Sequence, residues 1–188
     1  MITPDLKRNE NEYYELHIAG LTRQLQKFAV SDTLDIAAFI LFGDVELVER
    51  CAEELLKKVP EFEYIVTPEA KSIPLAYEMS RQSGKKYIVA RKGVKVYMDR
   101  PEKAEVRSIT TQRVQTLYLG HEDGDLLTGK RVLVVDDVIS TGESMKAVQL
   151  LVERFGANIV AFCAPLAEGD AADRDDIIFL EKLPLFFK

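Results

Sequence analysis

The stretch Val132–Ser144, "VLVVDDVISTGES", decides how the rest of the chain is read. Its first four residues form an apolar run of strand length, continuous enough to be covered on both faces, as in a parallel sheet. Asp136 and Asp137 then put two like charges at the strand's carboxyl end, where ligands bind in an open parallel sheet. Ser140, Thr141, Gly142, Glu143 and Ser144 follow as a polar turn into a helix, whose free first-turn amides favour an anion. Two adjacent carboxylates repel, so a partner must reward the arrangement. Two vicinal hydroxyls of a ribose can each donate to a carboxylate, and a magnesium ion can share the load. A plainer reading stands beside this one. Ser140 and Glu143 have the spacing of a capping box, and an Asp-Asp pair can simply be solvated.

Working outward, the chain alternates. "GDVELVERCAEELLKKVP" reads as a helix capped by Asp44 and stopped before Pro60. "FEYIVT" (Phe62–Thr67) is strand-like. "KSIPLAYEMSRQSG" is helix-like, with Pro74 tolerable only in its first turn and Gly84 at its end. "KYIVA" (Lys86–Ala90), "NIVAFCAPL" (Asn158–Leu166) and "IIFL" (Ile177–Leu180) are further strands, and an amphipathic helix runs from Gly142 to Gly156. Strands separated by helices imply an α/β fold with a parallel sheet and right-handed crossovers. Three segments resist this pattern. Asn11–Phe28 mixes periods, and Thr33–Phe42 reads as a strand or a buried segment. Val94–Leu119 alternates and is rich in Thr, Val, Arg and Lys, as a β-hairpin arm or a long loop would be.

The totals narrow the classes. A length of 188 residues suggests one domain, and 47% apolar residues allow a sizeable core. A net charge of −6 argues against a nucleic-acid binder, which needs a basic face. Cys51 and Cys163 lie far apart in apolar surroundings, as buried free thiols in a reducing cytoplasm do. His17 and His121 are the only histidines, so no zinc site of His/Cys spacing can be assembled. The amino terminus lacks the apolar segment of a signal peptide, and no run is long enough to span a bilayer. A soluble, cytoplasmic protein is expected. Two motif matches fail: "GDLLTGKR" (Gly124–Arg131) has Walker-like spacing but Arg131 replaces the hydroxyl residue, and it precedes a strand instead of following one. "VLVVDD" also looks like the first strand of a receiver domain, but too little chain follows for the rest of that fold.

Three stretches in register carry a resemblance. "VLVVDDVISTGES" resembles the phosphoribosyl-pyrophosphate (PRPP) signature of type I phosphoribosyltransferases. "TPEAKSIPLA" (Thr67–Ala76) is similar to that family's pyrophosphate loop, and "ARKGVK" (Ala90–Lys95) to the basic segment after the next strand. The resemblance implies a central parallel sheet flanked by helices, a small hood from residues 1–45 and roughly 165–188, a PRPP-binding core over 62–164, and a flexible β-arm or loop at Val96–Tyr118. It implies catalytic roles for Asp136 and Asp137 at the ribose, with Asp137 as general base or cation stabiliser. Val138, Ile139, Ser140, Thr141, Gly142, Glu143 and Ser144 would hold the 5′-phosphate. Ala70, Lys71, Ser72, Arg91, Lys92 and Lys95 would hold pyrophosphate, with a non-proline cis peptide at Ala70–Lys71. Leu166, Ala167 and Glu168, after a strand, are candidates for the base.

The function so implied is Mg2+-dependent transfer of a phosphoribosyl group from PRPP to a purine base, adenine favoured, with release of pyrophosphate in nucleotide salvage. A homodimer, no membrane and no nucleic acid are expected with it. Asp136 and Asp137 could also touch the metal. "ITTQRVQTLYL" (Ile109–Leu119) looks more like the arm in purine-operon repressors, which carry a phosphoribosyltransferase domain. The alternatives are therefore a PRPP-binding regulatory protein without turnover, and transfer to xanthine, guanine or orotate.

Overall fold

Strand β1 (Arg8–Ile18) turns back into β2 (Leu21–Ser31) through the two-residue loop Ala19–Gly20, both at positive φ (51° and 78°). Such a loop has the twist that antiparallel strands need. An alanine in its first position hides it from a search for Asn-Gly or Gly-Gly, which is why Asn11–Phe28 has no clear period. β3 (Leu34–Ala37) pairs with β2 and completes the expectation for Thr33–Phe42 only in part, since the chain leaves the sheet after Ala37. The computed structural model describes residues 8–107 and 114–188.

Helix α1 (Val45–Leu56) starts at Asp44, whose Oδ1 accepts from the Leu47 amide at 3.1 Å. β4 (Tyr64–Pro68), α2 (Ile73–Ser83) and β5 (Lys86–Ala90) follow, with Pro74 in the first turn of α2 and Gly84 at φ 71° ending it. β6 (Glu102–Arg107) and β7 (Val114–Leu119) form an antiparallel hairpin, so the described part of the arm is paired strand. Its tip, including part of "ITTQRVQTLYL", lies outside the described residues. A short helix α3 (His121–Gly124) and a 3-10 turn (Asp125–Leu127) lead into β8 (Arg131–Val135), then β9 (Val138–Ile139), α4 (Glu143–Arg154) and β10 (Asn158–Glu168). β11 (Ile178–Leu183) and β12 (Phe186–Phe187) end the chain.

The main sheet is parallel, in the order β11-β10-β8-β4-β5, with β9 beside β10. Its central strands β8 and β4 are buried on both faces, and alternation sorts their side chains. Leu133 and Val135 join Ile65, Leu55 and Met79 in one apolar cluster, on the side of α1 and α2. Val132 and Val134 join Leu151 of α4 and Leu117 of the arm in the other. The period-2 rule thus operates inside a run that looks uniformly apolar. Leu16, Ile18, Leu25 and Ala37 of the first three strands belong to the α1/α2 cluster, so the hood is anchored in the same core.

The hood sheet has the order β1-β2-β3-β12. Of the C-terminal stretch expected in the hood, only β12 joins it; the end of β10 and all of β11 belong to the parallel sheet. Leu166 and Ala167 are consequently strand-interior residues, since β10 runs to Glu168 and pairs at both of them with β9 and β11. No helix among the described residues is long and apolar enough to cross a membrane.

Candidate active site

β4 and β8 are neighbours, but their connections leave in opposite directions: β4 crosses through α2 to β5, and β8 through α4 to β10. That is the switch point of a doubly wound sheet, where the two outgoing loops separate and leave a crevice. The two strand ends are tied together there. Thr67 Oγ1 lies 2.9 Å from the Val135 carbonyl and 2.7 Å from Ser72 Oγ, and Ser72 Oγ donates to the Pro68 carbonyl at 3.1 Å. The crevice has a volume of about 520 Å³.

Asp136 and Asp137 stand at its floor, 6% and 8% exposed. The Asp137 amide donates to Asp136 Oδ1 at 2.9 Å. Burial pushes the Asp136 carboxyl well above its usual range, and the neighbouring Asp137 charge adds to the effect. Asp137 Oδ2 is buried with no hydrogen-bond partner among the described residues; the cation beside it is Lys71 Nζ at 3.6 Å. A buried acceptor without a donor costs free energy, so the floor is built for something that donates to it or coordinates it.

Ala70, Lys71 and Ser72 line one wall with Lys92. The Ser72 hydroxyl is committed to the strand ends and its carbonyl accepts the Ala76 amide at 3.0 Å, which leaves its own amide for a ligand. The non-proline cis peptide lies at Glu69–Ala70, one bond before the expected Ala70–Lys71. The Glu69 amide still donates to the Ala90 carbonyl at the sheet edge. Glu69 itself organises the basic residues. It accepts from the Lys92 amide at 2.8 Å and pairs with Arg91 at 3.4 Å, and its carboxyl is held low by that amide first and by the charges of Arg91 and Lys95. Arg91 and Lys95 are outside the lining of the crevice.

Val138, Ser140 and Ser144 line both the crevice and a smaller pocket of about 110 Å³, which Ile139, Thr141, Gly142 and Glu143 complete. The capping-box alternative fails here: the N-cap of α4 is Gly142, and no side chain caps the helix. Its first amides are available to an anion. Gly142 has φ 76°, and a Cβ there would stand 2.9 Å from Arg174 Nη1, whose guanidinium is fixed by Asp176 at 2.8 and 2.6 Å. Gly142→Ala is therefore expected to lose about 1–2 kcal/mol of stability from the left-handed backbone alone, read by denaturant unfolding, and to weaken anion binding in the small pocket.

Of the three base candidates, Glu168 lines the crevice, whereas Leu166 and Ala167 are fully buried in the sheet and do not. Burial raises the Glu168 carboxyl, opposed by the Ser140 hydroxyl and the Lys71 charge. Several further liners were missed by sequence reasoning. Ile36–Ile40, where the hood strand leaves its sheet, form the roof, and Leu183 and Gln115 close the sides. No signal marks Ile36–Ile40, because backbone and apolar side chains line this part. Gln115 had one: it interrupts an apolar alternation.

Comparisons with known proteins set the chain beside phosphoribosyltransferases. The sequence pattern of the phosphoribosyl transferase domain matches residues 45–183. The chain is 31% identical over 146 residues to an adenine phosphoribosyltransferase of Cenarchaeum symbiosum, covering 72% of this chain and 83% of that one. It is 31% identical over 170 residues to a hypoxanthine/guanine phosphoribosyltransferase of Methanotorris igneus, covering 89% and 79%. In fold it is similar to the adenine phosphoribosyltransferase of Saccharomyces cerevisiae, with a TM-score of 0.66 at 19% identity, over 82% and 90% of the chains.

Proposed function

The chain belongs to the phosphoribosyltransferase family, and from that premise we propose that it transfers the phosphoribosyl group of PRPP to a purine base, adenine first, and releases pyrophosphate. The observation that carries the reading is the switch-point crevice. A carboxylate pair, a lysine loop and an uncapped helix start converge there, one for each part of a ribose bearing two kinds of phosphate. Relatives of both adenine and hypoxanthine/guanine type support a purine as acceptor.

In this mechanism the pocket at Ser140–Ser144 takes the 5′-phosphate on backbone amides and hydroxyls. Asp136 and Asp137 accept from the ribose hydroxyls, which supplies the donor that Asp137 Oδ2 lacks. The Lys71 ammonium, 3.6 Å from Asp137 before substrate enters, moves onto the pyrophosphate oxygens with Lys92, and Arg91 and Lys95 beside Glu69 add positive charge. Positive charge then developing at the ribose C1′ faces the carboxylates while the leaving group faces the cations, so both ends of the breaking bond are stabilised. The base sits under the roof at Ile36–Ile40, with Glu168 beside it.

Among the described residues no cluster of three or more acidic, His or Cys side chains could hold a metal ion. The carboxylate pair with its unpartnered oxygen fits Mg2+ only if substrate oxygens supply most of the ligands. When bound in that way, the ion neutralises pyrophosphate charge. The proposal also includes a cytoplasmic homodimer, on family resemblance alone.

Incubation with PRPP, Mg2+ and separately adenine, hypoxanthine, guanine, xanthine or orotate, with chromatography of the products, tests the choice of base. AMP is expected to form fastest; nucleotide formation from orotate alone would refute the purine assignment.

A further inference from the structure

Gln115 interrupts the apolar inner face of the arm. In β7 the side chains of Leu117 and Leu119 point into the core, and period 2 places Gln115 on the same face. Its cross-strand partner Val106 is buried in that cluster, as is Ala104 opposite Leu117. Packing calls for an aliphatic residue at 115. A glutamine there sits instead where the arm reaches the start of α4, and its amide meets Ser144. Gln115 Nε2 donates to Ser144 Oγ at 3.0 Å, and Ser144 Oγ can donate back to Gln115 Oε1 at 3.3 Å. Both residues line the crevice and the small pocket, so the pair stands on the boundary between the two cavities.

We propose that Gln115 is a positioning residue for the 5′-phosphate of the sugar substrate, acting through Ser144; this rests on the phosphoribosyl reading of the site. A serine hydroxyl has one proton and two acceptor lone pairs. With the pocket open, that proton goes to Gln115 Oε1. With a phosphate in the pocket, Ser144 Oγ turns its proton to a phosphate oxygen while Gln115 Nε2 keeps donating to Oγ. The amide thus fixes the oxygen and strengthens the hydroxyl as a donor, as a chain of hydrogen bonds does. The pairing also ties the arm to occupancy of the phosphate pocket, because Gln115 belongs to the arm and Ser144 to α4.

Calorimetric titration of ribose 5-phosphate and, separately, of pyrophosphate tests the assignment on wild type, Gln115→Leu, Ser144→Ala and the double variant. Gln115→Leu keeps the volume and suits the apolar face, so its melting temperature is expected to stay at or above that of wild type. Its ribose 5-phosphate affinity falls about tenfold, the upper end of what one neutral hydrogen bond is worth, and pyrophosphate affinity does not change. Gln115→Glu, which keeps the acceptor and adds a negative charge, binds ribose 5-phosphate more weakly than Gln115→Leu. The double variant is expected to lose little more than Ser144→Ala alone, because the two residues act in series. Equal ribose 5-phosphate affinity in wild type and Gln115→Leu would overturn the proposal, as would fully additive losses. A wild-type protein that binds neither ligand would contradict the phosphoribosyl reading itself, a different failure.

Discussion

Replacing Asp136 and Asp137 together by asparagine is expected to lower kcat/KM for PRPP on the order of 10³-fold, as removal of a preorganised electrostatic group at a reacting centre does. The substitution is nearly isosteric. Asp136 Oδ1 accepts the amide of the next residue at 2.9 Å, and the side-chain carbonyl of an asparagine in its place accepts the same amide, so the loop keeps its shape. What disappears is negative charge opposite C1′ and acceptor strength toward the ribose hydroxyls. The single variant Asp136→Asn carries a second, opposite signature. Burial raises the folded-state value of Asp136 above its ordinary 3.8, so the folded protein binds a proton that the unfolded chain has released. Wild-type stability therefore falls as pH rises from 3.8 toward the raised value, and the deficit persists above it. Asparagine has no such penalty. Thermal unfolding should show Asp136→Asn melting above wild type at neutral pH, with the gap closing as pH falls from the raised value toward 3.8. A site that gains stability when its charge is removed holds that charge for function.

The second large effect is at Lys71. Lys71→Ala is expected to lower kcat/KM for PRPP by about 10²-fold, with most of the loss in pyrophosphate affinity. Its ammonium is two-thirds exposed and meets Asp137 at 3.6 Å, so it contributes little to the fold and is free to move onto an anion. The effects on pyrophosphate and ribose 5-phosphate should separate. Calorimetry on Lys71→Ala should show pyrophosphate binding lost and ribose 5-phosphate binding retained, because the helix start at Ser140–Ser144 is untouched. Equal loss of both ligands would mean that Lys71 holds the crevice open instead of binding the leaving group.

The parallel sheet and its helices were legible because Val132–Val135 and Lys86–Ala90 are short apolar runs of strand length and the α1 and α2 segments carry a helical period with a stop signal. The hood was not, since Ala19 occupies a turn position where glycine or asparagine would have announced a hairpin. That Asp136 through Ser144 would line one site was legible from chemistry written in consecutive positions, and these residues line the crevice and the small pocket beside it. Leu166 and Ala167 lie outside the crevice lining because the strand runs on to Glu168, with β9 and β11 paired at Leu166 and Ala167 and β11 still paired at Glu168, which nothing in "APLAEG" shows. Glu69 was missed for the reverse reason. Its role is to hold Arg91 and Lys92, which are distant in sequence and meet it only once β4 and β5 are paired.

The most direct test follows PRPP by phosphorus NMR with the wild-type protein, Mg2+ and adenine. The pyrophosphate signal should grow in step with AMP, need both protein and base, and vanish in the Asp136→Asn/Asp137→Asn variant. Tight PRPP binding with no pyrophosphate formed from any base would contradict the transferase and leave a PRPP-binding regulator.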